Sequence, residues 1–184
     1  MIEYPAVTKV DQALPAGDLW VFGYGSLLWH AGFEHRAVRT ARIHGFHRSL
    51  CVWSWVHRGT RRNPGLVLGL DRGGSCTGRL FRVAARQRQA TLAYLAAREM
   101  VTPVYVPTRC NAMVDGHRVA ALTFTVDREH AQYAGRLTLA TAHDVVRRST
   151  GRGGPNRDYI AQTVEQLLEL GVRDRFLLAL RSTL

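Results

Sequence analysis

The chain has 184 residues, 46% hydrophobic and 21% charged, which fits one globular domain with a sizeable core and excludes a disordered or fibrous chain. No apolar run approaches the length of a membrane span, and Met1 to Gly17 has no signal-peptide core, so a cytoplasmic protein is expected, with no membrane partner. The formal net charge is +11, and the excess is local: Arg42 to Arg98 holds eleven arginines and one acid, Asp71. That excess admits three readings: a nucleic-acid face, a field that draws in a small acidic substrate, or a plain solvated surface.

Residues 1–18 read as an irregular arm carrying Pro5, Pro15 and Gly17, ahead of a single domain at 19–184. Leu19–Tyr24 reads as a buried strand through Trp20, Val21 and Phe22. It breaks at Gly23-Tyr24-Gly25-Ser26, and apolar residues resume at Leu27, Leu28 and Trp29. Two glycines one residue apart allow a tight turn and a close approach of the backbone to a ligand. Such a turn gathers N–H groups into a concavity suited to a carboxylate, a phosphate or a developing oxyanion. A tight hairpin near a core is the plainer reading of the same residues. A dinucleotide fingerprint is excluded, because Leu28 stands where its third glycine would fall.

Ala37 to Trp55 reads as one long strand or two, with a break available at Gly45. The loop Arg58–Gly65 is polar and rich in turn formers. Leu66–Leu70 reads as a buried strand, Asp71-Arg72-Gly73-Gly74-Ser75 as a tight turn, and Cys76–Val83 as the next strand. The period then changes, and Arg86–Met100 is predicted to be a helix. Leu92, Leu95, Ala96 and Glu99 share one face of it, with Arg98 and Met100 pointing elsewhere. Glu99 therefore ends an apolar stripe where a leucine would be expected. Desolvation there raises a carboxyl pKa into the range useful for proton transfer, and the helix C-terminus pushes the same way. The alternative is that Glu99 pairs with an arginine and only closes the helix.

Strands are predicted at Val104–Tyr105 and Arg118–Val126, with Asp115-Gly116 as a hairpin turn. Gln132-Tyr133-Ala134-Gly135 is a connecting loop. Thr138 caps a helix to about Ser149, Asn156 caps another to Leu170, and a last helix spans Arg173 to about Arg181. The second of these places Tyr159, Thr163, Val164, Leu167 and Leu168 on its apolar side. The pattern is α+β: a small strand-rich barrel with flanking and C-terminal helices. His44 and His47 would face opposite sides of a strand, Cys51, Cys76 and Cys110 are widely spaced, and no metal site is expected.

Val21-Phe22-Gly23-Tyr24-Gly25-Ser26-Leu27 resembles the signature loop of the gamma-glutamylcyclotransferase superfamily. Further segments resemble its ChaC branch in the same order along the chain: Gly45-Phe46-His47-Arg48, Arg58-Gly59-Thr60, Pro64–Asp71, Gly73-Gly74-Ser75-Cys76, Arg98-Glu99-Met100, Gln132–Gly135 and Gly154–Tyr159. The resemblance runs from about Trp20 to the C-terminus. It implies a small mixed β-barrel and release of 5-oxoproline from a gamma-glutamyl compound. In the ChaC branch that compound is glutathione, with cysteinylglycine as the other product. The resemblance also implies a catalytic glutamate, which falls on Glu99, and no metal or organic cofactor. Substrate binding is then expected from Val21, Phe22, Gly23, Tyr24, Gly25, Ser26 and Leu27, with Tyr133 as a wall or hydroxyl contact. Two alternatives remain at this point. One is the same chemistry on gamma-glutamyl amino acids or gamma-glutamylamines. The other is an arginine-rich RNA-binding barrel using Trp53, Trp55 and Phe81, for which salt-sensitive binding would be diagnostic.

Overall fold

A computed structural model describes residues 4–184. They fall into two compact units: one runs to Arg48 and resumes over Leu70–Asp127, and the other comprises Ser49–Gly69 and Arg128–Leu184.

The first unit is built on a closed five-stranded barrel. Its strands are β1 (Leu19–Gly23), β2 (Ala37–Ser54), β3 (Gly65–Val83), β4 (Tyr105–Val114) and β5 (His117–Val126), in the spatial order β1-β3-β2-β4-β5. β1 pairs antiparallel with β3, Leu19 opposite Val83 and Gly23 opposite Arg79, and closes the ring by a parallel contact of Val21 with Leu122 of β5. Residues opposite one another in a ladder share a face. Leu19, Val21, Phe81, Val83, Leu122 and Phe124 thus form one apolar face, and helix α2 (Arg88–Glu99) covers it with Leu92, Leu95 and Ala96. β4 and β5 form the expected hairpin, with Asp115 (φ 49°) and Gly116 (φ 77°) both left-handed at its turn.

Two expectations fail here. Asp71–Ser75 is not a turn: β3 continues through it, as β2 continues through Gly45. Gly73 (φ 95°) and Gly74 (φ 70°) absorb the bend within the strand, and Arg42 of β2 donates to Ser75 Oγ at 2.6 Å. The arm is not irregular either. Its first three residues lie outside the described part, but Pro5–Gln12 forms helix α1. Proline is tolerated at a first helical turn, so Pro5 starts this helix rather than breaking it. Val7 is buried in the α2 layer, and Asp11 pairs with Arg88 at 2.7 Å.

The second unit carries helices α3 (Leu139–Arg148), α4 (Asn156–Glu169) and α5 (Arg175–Thr183), with α3, α4 and α5 packed on one another. Thr138 caps α3 by accepting from the Thr141 N–H, and Asp174 caps α5. The short strands β6 (Thr150–Gly151) and β7 (Gly154–Pro155) pair before α4. Leu168 is 41% exposed, so the apolar side of α4 is Tyr159, Thr163, Val164 and Leu167 without it. Asn156 does not cap α4. It is fully buried as the first helical residue, and its amide is spent on the strand: Leu66 N–H donates to its Oδ1 at 2.6 Å, and its Nδ2 donates to Leu66 O at 2.8 Å. Asn156→Ala leaves both Leu66 groups buried without partners. It should cost about 3 kcal/mol, read as a lower denaturation midpoint at an unchanged m-value.

Candidate active site

The loop after β1 is shaped by close packing. A Cβ at Gly23 would sit 2.7 Å from Leu27 Cβ, so only glycine lets the chain fold back there. Leu27 thereby joins the apolar layer under α2. Ser26–Leu28 forms a single 3-10 turn in which Leu28 N–H donates to Gly25 O at 2.8 Å. The opening N–H groups of such a turn, Ser26 and Leu27, have no acceptor in the chain among the described residues. Arg48 fixes the peptide before them: its Nε donates to Tyr24 O, and its Nη2 to Thr77 O, each at 2.7 Å. A trans peptide points its C=O and its N–H in opposite directions. With the Tyr24 carbonyl held towards Arg48, the Gly25 N–H faces the other way. Phe22 O is held from the barrel by Thr123 Oγ1 at 3.0 Å.

Glu99 closes α2 on the stripe laid down by Leu92, Leu95 and Ala96. Its side chain is 16% exposed. Burial pushes its carboxyl above the usual carboxylate range, and the neighbouring Arg98 pulls it partly back. The expected arginine partner is present as well, since Arg98 Nε lies 3.2 Å from Glu99 Oε1. Burial outweighs the ion pair, so the carboxyl stays above its usual range.

Arg98 lies on the row of Tyr94, four residues earlier, but its long side chain does not point away from Glu99. Its side chain is 18% exposed and folds onto the loop. Nη2 donates to Ser26 Oγ at 2.9 Å, and Nη1 donates to His30 O at 2.6 Å, Ala31 O at 3.2 Å and Tyr94 Oη at 3.0 Å. Met100 packs against the same apolar layer. It is the C-cap, with φ −100° and ψ 28°, so the helical repeat no longer sets its direction. Gly32 (φ 72°) lies where a Cβ would collide with the Tyr94 hydroxyl, so its missing side chain makes room for that ring. The first unit thus brings Val21–Leu27 and the end of α2 together through one guanidinium. Among the described residues, no three His, Cys, Asp or Glu side chains gather as metal ligands.

Tyr133 lies in the second unit. It bridges Val52, while Trp53 N–H donates to Gln132 O and Ala134 N–H to Cys51 O, both at 2.8 Å. Residues 132–134 thus extend the sheet beside the end of β2. Sequence reasoning missed Arg48, Arg98 and Tyr94. Arg98 carried one signal, its position beside Glu99 in the Arg98-Glu99-Met100 segment; Arg48 was one cation in a chain full of them.

The family model described as ChaC-like protein matches residues 19–184. The chain belongs to the ChaC-like family. A glutathione-specific gamma-glutamylcyclotransferase of Escherichia coli (strain K12) is 33% identical over 159 residues, covering 86% of this chain and 69% of that protein. A glutathione-specific gamma-glutamylcyclotransferase 1 of Danio rerio is 29% identical, covering 80% of this chain and 78% of that protein. Among solved structures, a gamma-glutamyl cyclotransferase specific to glutathione from yeast superposes with a TM-score of 0.82. It is 22% identical and covers 91% of this chain and 95% of that one, a likeness of fold. The α+β barrel of the ChaC-like chain is thus a fold shared with such enzymes.

Proposed function

We propose that this chain cleaves glutathione to 5-oxoproline and cysteinylglycine, with Glu99 moving the proton. The observation that carries the reading is a desolvated glutamate tied through Arg98 to Ser26 of the glycine loop. The names of the relatives support the substrate.

The reacting groups belong to one molecule. The alpha-amine of the glutamyl residue attacks its own gamma-carbonyl carbon and closes a five-membered lactam. The enzyme need only fold the glutamyl chain and hold the two atoms in contact. The amine gives up its ammonium proton to water before it attacks, and as its nitrogen bonds to the gamma-carbon the Glu99 carboxylate takes the second proton that this nitrogen must shed. As the tetrahedral centre collapses, the carbon–nitrogen bond to cysteine breaks, and Glu99 returns the proton to the departing nitrogen. An acid pKa raised by burial brings donor and acceptor closer in strength, which suits both transfers. The N–H groups of Gly25, Ser26 and Leu27 hold the alpha-carboxylate or the developing oxyanion, and the Ser26 hydroxyl adds a donor. Gly23, the strand residues Val21 and Phe22, and Tyr24 just after the strand fix the path of that backbone. Glutathione carries two carboxylates and one ammonium, so Arg48 and Arg98 beside the loop favour its approach. Free Cys51, Cys76 and Cys110 accord with a reducing, cytoplasmic setting.

The base must be ionised, so kcat/KM should fall on the acid side through the Glu99 pKa. That limb should lie above the ordinary value of 4.5, because burial raises it. The test is 5-oxoproline release across pH from glutathione, a gamma-glutamyl amino acid and a gamma-glutamylamine. Release from glutathione alone, with the displaced limb, is expected. Faster release from either of the others would move the substrate to that class, and release from none would overturn the reading.

A further inference from the structure

We infer that Arg98 is a positioning residue for this reaction: its guanidinium sets the Ser26 hydroxyl and the Glu99 carboxylate relative to one another. The inference rests on the functional reading above.

A guanidinium is a flat fork of five N–H donors with fixed directions. Here each nitrogen has its partner. Nη1 is taken up by His30 O, Ala31 O and Tyr94 Oη, Nη2 by Ser26 Oγ, and Nε lies beside Glu99 Oε1 at 3.2 Å. The plane of the fork is therefore fixed by its far end, so Ser26 and Glu99 are held from one rigid body. A hydroxyl has one proton and two acceptor sites. With Nη2 donating to Ser26 Oγ, the Ser26 proton cannot point back at the guanidinium. It is turned outward as a donor, on the stretch of loop that carries the free Ser26 and Leu27 N–H groups. A cation at a helix C-terminus also opposes the negative end of the dipole, which stabilises this arrangement.

The same charge acts on Glu99. Among the described residues, Arg98 is the charged group whose field lowers the Glu99 pKa against burial. Tyr94, on α2, and His30, on the loop, are the other titratable residues around the fork. Were Arg98 only a clip joining α2 to the loop, its replacement would loosen the fold without lowering kcat in the folded protein.

The experiment follows the Glu99 side-chain carboxyl by carbon-13 NMR across pH in wild type, Arg98→Met, Arg98→Lys and Ser26→Ala, with kcat and KM on glutathione measured in parallel. Arg98→Met should raise the Glu99 midpoint and lower kcat about 100-fold, with a smaller change in KM. Arg98→Lys keeps the charge but not the fork, so it should hold the midpoint near wild type and still lower kcat. Ser26→Ala should leave the midpoint in place and lower kcat. An unchanged midpoint in Arg98→Met overturns the inference. If Arg98→Met does not fold, wild-type kcat in Arg98→Lys overturns it. The titration needs no turnover. A wild-type protein inert towards glutathione therefore refutes the functional reading, while the midpoint in Arg98→Met still decides the role of Arg98.

Discussion

Glu99→Gln should abolish 5-oxoproline release, a loss of at least about 1,000-fold, while glutathione still binds and the fold survives. Gln keeps the volume and one carbonyl oxygen but can neither take a proton nor return one. Both transfers of the reaction are lost together, which puts this effect above that of any binding residue. The same substitution should change stability with a definite sign. Below pH 4.5 the carboxyl is protonated in both folded and unfolded chains and Glu99 carries no penalty. As pH rises through the raised folded pKa, the unfolded chain has already ionised, while the folded one must ionise a desolvated group. Stability is therefore lost over that window. Glu99→Gln escapes the loss, so its thermal midpoint should exceed that of wild type at pH 7.5 and match it near pH 4. Full activity in the variant would remove Glu99 from the mechanism. An equal stability difference at both pH values would mean that the carboxyl is not desolvated.

Gly78→Ala should lower kcat/KM about 100-fold without touching a reacting group. Gly78 lies in β3 beside the end of β1. A Cβ there would collide with the Gly23 carbonyl and stand 2.8 Å from Phe22 Cζ. The first of these is backbone and cannot rotate aside. Relief must come from displacing Gly23, which begins the substrate loop, and a shift near 1 Å is enough to spoil alignment of the reacting atoms. Overpacking of this kind costs about 1–3 kcal/mol, so the thermal midpoint should also drop by several degrees. Circular dichroism should be that of wild type. A variant with unchanged kcat/KM would show that the placement of the loop does not govern the chemistry.

What could be read from the sequence was what local pattern controls. The hairpin at Asp115-Gly116, the cap at Thr138 and the α2 stripe each follow from residue types at short spacing, and each stands in the structure. Glu99 was legible because it broke a pattern, an acid where an apolar residue belonged. Features decided by distant contacts were not. Gly73-Gly74 spells a turn, yet bonds from β2 keep the strand going. Asn156 spells a cap, yet Leu66, ninety residues earlier, claims its amide. Pro5 reads as a breaker until Val7 is seen in the core. The arginine excess was the hardest to interpret, because charge counts do not reveal direction. Arg48, Arg88 and Arg98 spend their donors on backbone carbonyls and carboxylates inside the first unit. These three arginines are scaffolding for the loop and α2, while Arg42, Arg61, Arg62, Arg72, Arg82 and Arg86 are exposed.

The most direct test is to let wild type and Glu99→Gln turn over glutathione in water enriched in oxygen-18 and to weigh the products. Attack by the substrate's own amine brings in no oxygen from solvent. Wild type should therefore yield unlabelled 5-oxoproline and cysteinylglycine in equal amounts, and Glu99→Gln neither. Labelled free glutamate, or unlabelled 5-oxoproline formed as fast by Glu99→Gln as by wild type, would contradict the account.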